Sequence, residues 1–277
     1  MNTLPDFRSW GGDKKFIPLT KEDSKGSINP PIIRHINSIV KQTGKPNHSI
    51  RILDFGCGRG ELVCKLRHLG FDAYGIDIDH RFIEAGKILN EESKSLPILS
   101  TPDKNGKNCF NNEFFDIIIS NQVLEHVENL SFIAEEMSRI LKYNGSVCNL
   151  FPAKYRFVEP HYKLPLIHWM PKNIIRLYAI KIMLLMNFSA HLFPEYNLDE
   201  RSRIIYKFSV EETFYRPVSQ IIKVFRSAGI ELESRSEMQH HLKSRKKFIG
   251  LITSILPIDK LVTNFRHVIL TGKKVRK

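Results

Sequence analysis

Between residues 32 and 151 the apolar positions change period repeatedly, and each change predicts an element. Ile32, Ile33, Ile36, Ile39 and Val40 keep helical spacing, which predicts a helix ending at about Thr43. Short apolar runs fit strands at about 51–55, 72–76, 96–99, 114–120 and 145–151, with helices at about 60–69, 80–90 and 129–141 between them. This alternation predicts an α/β fold with a mostly parallel sheet covered on both faces. The first 30 residues are polar and broken by Pro5, Gly11, Gly12, Pro18, Gly26 and Pro30, so they read as an irregular arm that could lie over a ligand. After Phe151-Pro152 the rhythm breaks, because Pro160, Pro165 and Pro171 forbid a helix over 158–171. An apolar helix follows at about 173–193, and the core resumes with 206–213, a helix at about 217–228 closed by Gly229, and strands at about 230–236 and 267–271. The chain thus divides into an arm and helix (1–45), a core segment of alternating strands and helices (46–152), an insertion (153–205) and the rest of the core (206–277).

The candidate chemistry sits in the core. The run Arg51-Ile52-Leu53-Asp54-Phe55-Gly56-Cys57-Gly58-Arg59-Gly60-Glu61 is a strand, a tight glycine loop and a helix start, and Tyr74-Gly75-Ile76-Asp77-Ile78-Asp79 is a second strand ending in a carboxylate. A dinucleotide fingerprint needs a third glycine where Glu61 stands; here the glycines are Gly56, Gly58 and Gly60. A pyrophosphate would be repelled by Asp54 and Glu61, whereas a ligand with a sulfonium and an ammonium would be attracted, and helix-start amides suit its carboxylate. Asp77 is placed to accept hydrogen bonds from two ribose hydroxyls.

These motifs resemble those of class I S-adenosylmethionine-dependent methyltransferases. The first motif is Ile52 to Gly60 and the second Gly75-Ile76-Asp77. The third runs from Phe115-Asp116 to Val123-Leu124-Glu125-His126-Val127 and is close to that of the small-molecule (type 11/23-like) branch. A fourth, Ile140-Leu141-Lys142-Tyr143-Asn144-Gly145, has Asn-Gly where the family usually turns on proline-glycine. The resemblance implies a Rossmann-like seven-stranded sheet, S-adenosyl-L-methionine as cofactor, and an antiparallel last strand. It implies cofactor contacts from Asp54, Phe55, Gly56, Cys57, Gly58, Gly60, Asp77 and Ile78, from Asn121 and Gln122 after the fourth strand, and from Asp103 to the adenine amino group. His126 is either a structural histidine or a group beneath the cofactor. The stretch 158–171 resembles the substrate-side insertion of methyltransferases in glycan and secondary-metabolite pathways, which makes 153–205 a helical substrate lobe.

Composition narrows the picture. At 277 residues and 42% hydrophobic content the chain can bury a large core. The beginning Met1-Asn2-Thr3-Leu4-Pro5-Asp6 lacks a charged start followed by an apolar run, and Cys57, Cys64, Cys109 and Cys148 lack metal-ligand spacing, so a reduced cytoplasmic protein with no metal is expected. Net charge is +13, all of it in residues 151–277, which hold 23 Lys+Arg against 10 Asp+Glu, while residues 1–150 hold 19 of each. An acidic partner would therefore meet the second half; the alternative is a solvated basic surface.

Methyl transfer to a hydroxyl also needs a base. His161, after the fifth strand on the rim where the family's substrates lie, is the candidate, with Glu159, Tyr162 and His168 as competitors; a purely structural His161 is the alternative. Asn121-Gln122-Val123-Leu124 is unlike an N-P-P-Y-type sequence, which disfavours exocyclic base amines, and Pro152 is not followed by a cysteine, which disfavours covalent attack on cytosine. The expected acceptor is a small molecule, most plausibly an oxygen of a glycan, isoprenoid or related metabolite. An RNA methyltransferase using the basic half and a non-catalytic cofactor-binding protein are the alternatives. The apolar stretches 182–186 and 248–257, the latter after Lys243 to Lys247, are too short to span a bilayer; they fit peripheral contact with an anionic membrane, packing on the sheet, or a homo-oligomer contact.

Overall fold

The computed structural model describes residues 16–91, 96–234 and 267–276. Seven strands form one sheet in the order β3-β2-β1-β4-β5-β7-β6. They are β1 (Arg51–Phe55), β2 (Asp72–Ile76), β3 (Leu99–Ser100), β4 (Phe115–Asn121), β5 (Leu141–Pro152), β6 (Ile230–Ser234) and β7 (His267–Lys274). The first five pair in parallel, and β7 runs antiparallel between β5 and β6. The last strand thus lies inside the sheet and β6 forms its edge.

Two apolar layers flank the sheet because the inner strands bury both side-chain rows. On one face α5 (Leu130–Ile140) and α8 (Val218–Ser227) pack through Ala134, Met137, Ile221 and Phe225 against Leu53, Ile118 and Val147. On the other, α1 (Pro30–Thr43), α2 (Glu61–His68) and α4 (Ile88–Glu91) pack through Ile32, Ile36, Val63, Leu66 and Leu89 against Ile52, Ile117 and Ile119. The helix expected at 80–90 is two pieces, α3 (His80–Ala85) and α4, broken at Gly86; a Cβ there would stand 2.3 Å from the Arg59 carbonyl oxygen. Asn144 takes the left-handed conformation (φ 61) that the Asn-Gly pair offers.

The insertion has its own core. Tyr162, Leu164 and Ile167 pack with Ile180 and Leu184 of α6 (Ile174–Leu185) and with Ile204, Ile205 and Phe208 of α7 (Leu198–Glu211). The lobe therefore reaches Glu211, and the boundary expected at 205 falls inside α7, which its Asn197–Glu200 capping box starts at Leu198. The apolar helix expected to run to residue 193 stops at Leu185, followed by turns in which Asn187 and Ser189 have positive φ. The stretch 248–257 lies outside the described residues, as does the arm before Phe16.

Candidate functional site

Parallel strands deliver their carboxyl ends to one edge, and the loops beyond β1, β2 and β4 open there onto a cavity of about 700 Å³. The glycine loop is fixed by hydrogen bonds from the Gly56 and Cys57 N–H groups to the Ile76 carbonyl, at 2.8 and 2.9 Å. Gly56 is demanded twice over: its φ is +80, and a Cβ would lie 2.3 Å from Cγ2 of Val123. Asp77 is oriented by the Gly58 N–H donating to Oδ2 (2.8 Å) and the Asp79 N–H donating to Oδ1 (3.0 Å).

Electrostatics mark what the loop would hold. Asp54 is 5% exposed, and burial, reinforced by the charge of Asp77, pushes its carboxyl up to about 7. Two carboxylates lie close enough for the charge of one to be felt by the other, an arrangement that favours a cationic ligand. Glu61 does not share this role. It is paired with Lys65 (2.6 Å) and Arg59 (3.5 Å), so the negative field comes from Asp54 and Asp77.

Of the expected cofactor residues, Phe55, Gly56, Asp77, Ile78, Gln122 and His126 line the cavity. Cys57 is buried against Gly75, and Gly60 starts α2 against Leu99, so both shape the loop from behind. Asn121 is the last residue of β4, and it is Gln122, at φ 59, that faces the cavity. Asp103 stands apart from the wall: its Oδ1 accepts the N–H groups of Asn105 and Lys107 and holds a turn that presents Pro102, Asn105 and Gly106 instead. The arm does reach the site, since Phe16 lines the cavity and packs on Phe82 of α3 with ring centroids 4.9 Å apart.

His161 faces the same cavity from the lobe side, beside His126 (ring centroids 4.9 Å apart) and Phe208 (5.5 Å). The His126 Nδ1–H donates to the Glu212 carbonyl at 2.7 Å, which ties the third motif to the end of α7. One Glu125 oxygen and one ring nitrogen from each histidine lie within 4.8 Å of one another. Glu125 is 2% exposed with neither carboxyl oxygen hydrogen-bonded, and burial, with the charge of Glu159, pushes it up to about 8, so it is protonated at neutral pH. Of the competitors to His161, Tyr162 is buried in the lobe core and His168 packs on Tyr215 at 5.1 Å. Glu159 contacts His161 directly. Sequence reasoning missed Tyr215, Phe208 and Phe16, none of which lies in a motif.

Residues 53–149 match the family model described as "Methyltransferase domain". The chain carries a class I S-adenosylmethionine-dependent methyltransferase domain. A ubiquinone biosynthesis O-methyltransferase of Pelagibacter ubique is 33% identical over 145 residues, covering 49% of this chain and 56% of the relative. The mitochondrial protein of the same name from Rattus norvegicus is 31% identical over 152 residues, covering 50% and 41%. The chain spans about half the length of the curated relatives it matches. In fold it resembles phosphoethanolamine N-methyltransferase 2 of Haemonchus contortus, with a TM-score of 0.50 and 14% identity over 100% of this chain and 61% of that one. The cofactor of such a domain is S-adenosylmethionine, and the residues fit it. The Asp54 and Asp77 carboxylates suit its cationic groups, and Gly56, in the left-handed conformation, lets the loop turn along the cavity wall.

Proposed function

We propose that the protein is an S-adenosylmethionine-dependent methyltransferase acting on a hydroxyl of a small, largely apolar acceptor, with His161 as the base. The observation that carries this reading is that Asp77 and His161, from opposite ends of the site, line one cavity. When bound, the cofactor supplies an electrophilic methyl group on a sulfonium. The protein's part is to align the acceptor, exclude water and take the hydroxyl proton. Phe16, Phe82, Phe132, Ile133 and Phe208 make much of the wall apolar, which favours an isoprenoid-type acceptor over a glycan. The small-molecule O-methylation named for the relatives supports the same direction. The test is methyl transfer from labelled cofactor to a panel of phenols bearing apolar side chains. Turnover is expected with wild type and a loss of about 10²-fold in kcat for His161→Ala with cofactor affinity kept. Full turnover by the variant refutes the assignment of His161.

A specific observation also favours contact with an anionic membrane. Ile174, Ile175, Tyr178, Ile182, Leu185 and Met186 are each 56–67% exposed, while Arg176, Ile180 and Leu184 are buried. At 100° per residue these six fall within an arc of about 120° on one side of α6, with no charge among them. The expected stretch 182–186 thus divides, with Met183 and Leu184 packed on the lobe core and Ile182, Leu185 and Met186 facing out. The excess basic charge of residues 151–277 suits anionic lipid. No helix among the described residues is long and apolar enough to cross a membrane.

A further inference from the structure

We propose that Glu159, seated by Tyr215, is a positioning residue for His161: it locks the imidazole with its proton on Nδ1 and balances the charge the ring acquires. The proposal rests on the methyl-transfer reading above and deepens it. Glu159 is fully buried, and the groups hydrogen-bonded to its carboxyl oxygens are donors. His161 Nδ1 lies 2.6 Å from Oε1, and the Tyr215 hydroxyl donates to the same oxygen at 2.5 Å. The backbone N–H groups of His161 and Tyr162 donate to Oε2 at 2.6 and 2.8 Å. A buried carboxylate without donors would protonate. Here burial opposes the charge, but the hydrogen bonds from the His161 ring, the Tyr215 hydroxyl and the Tyr162 N–H hold the carboxyl below the ordinary glutamate range. Burial and the Glu159 charge push the Tyr215 phenol up, so it stays a donor.

An ionised carboxylate can only accept, so the nitrogen facing it carries the hydrogen. That leaves Nε2, on the other side of the ring, as the proton acceptor. As the acceptor oxygen bonds to the methyl carbon, the methyl–sulfur bonding pair goes to sulfur and the hydroxyl proton goes to Nε2. The positive charge lost at the sulfonium then resides on the imidazolium, 2.6 Å from Glu159. The other titratable groups around the ring are less suited to this balance: burial pushes Glu125 up to about 8, His126 is tied to a carbonyl, and burial pushes His168 down. Tyr215 lies 54 residues from His161, in the link between α7 and α8, so the arrangement of the base depends on the packing of this link against the lobe.

The test is nitrogen NMR of the full chain with labelled histidine, paired with steady-state kinetics on Glu159→Gln and Tyr215→Phe. In wild type the neutral His161 ring is expected as the Nδ1–H tautomer, whereas free imidazole side chains favour Nε2–H. Glu159→Gln is expected to lose this preference and to lower kcat by about 10²-fold or more with the KM for cofactor within about twofold. Tyr215→Phe, a milder change that removes only one bond to Oε1, is expected to lower kcat by roughly threefold to tenfold. An Nε2–H tautomer in wild type, or unchanged kcat in both folded variants, overturns the proposal. If the Nδ1–H tautomer is present and lost in Glu159→Gln, yet wild type methylates no hydroxyl acceptor, the methyl-transfer reading fails while the assignment of Glu159 stands.

Discussion

Asp54→Asn separates what the cofactor site does for binding from what it costs the fold. The Asp54 carboxyl is raised from 3.8 to about 7, first by burial and then by Asp77. Between those two values the folded protein holds a proton that the unfolded chain has released, so stability falls as pH rises through the window and the full penalty is present above about pH 7. A shift of about three units corresponds to a penalty of about 4 kcal/mol at pH 8. The amide removes the charge but introduces a buried donor whose unmet hydrogen bond costs about 1–3 kcal/mol, leaving a net gain of about 1–3 kcal/mol. Urea unfolding without cofactor, at pH 5 and pH 8, reads this directly. Wild type is expected to lose stability between the two, and the variant to lose less. Glu125, raised to about 8 by burial and Glu159, contributes residual slope of the same sign. Calorimetry at pH 8 is expected to show S-adenosylmethionine bound at least about tenfold more weakly by the variant, since a carboxylate that attracted its cationic groups is gone. A variant with the wild-type pH slope would refute the claim that Asp54 is strained in the apo protein; unchanged affinity would refute its role in the site.

Gly56→Ala forces a Cβ into Val123 at a positive φ, so a loss of about 2 kcal/mol or more in chemical denaturation and undetectable cofactor binding are expected. Arg139→Ala leaves Glu136, 7% exposed, without its guanidinium partner and frees the Phe110 and Asn108 carbonyls from it; about 3 kcal/mol of stability is expected to go, with weaker cofactor binding because Asn108 lines the cavity. The pairing of Ile182→Asp with Leu185→Asp on the exposed side of α6 is expected to abolish salt-sensitive co-sedimentation with anionic vesicles while leaving melting temperature within a few degrees. Retained vesicle binding would sink the membrane reading, and a change in sedimentation of the free protein would point to a twin subunit instead.

The cofactor-binding half was legible because its signals are local. The strand β1 ends at Phe55 and β2 at Ile76 where apolar runs meet glycine and aspartate, and these turns leave few backbone choices. The lobe was misjudged at residue 205 because α7 carries its cap at Asn197 and its apolar positions serve a separate small core, a fact of packing that periodicity does not record. Asp103 illustrates the same limit: an acid after the third strand fits the family pattern, but its Oδ1 accepts two backbone N–H groups of its own loop, and it does not line the cavity.

By itself, the sequence determined the layered sheet, the glycine loop and the two carboxylates that greet a cationic cofactor, because each depends on residues within a few positions of one another. Only the tertiary structure decided which charges survive there. It pushed Glu125 up to about 8 by burying it, and held Glu159 below the ordinary glutamate range with the His161 ring and with Tyr215 brought from 56 residues away. Burial and distant donors set those protonation states, and neither is written in the spacing of residues along the chain.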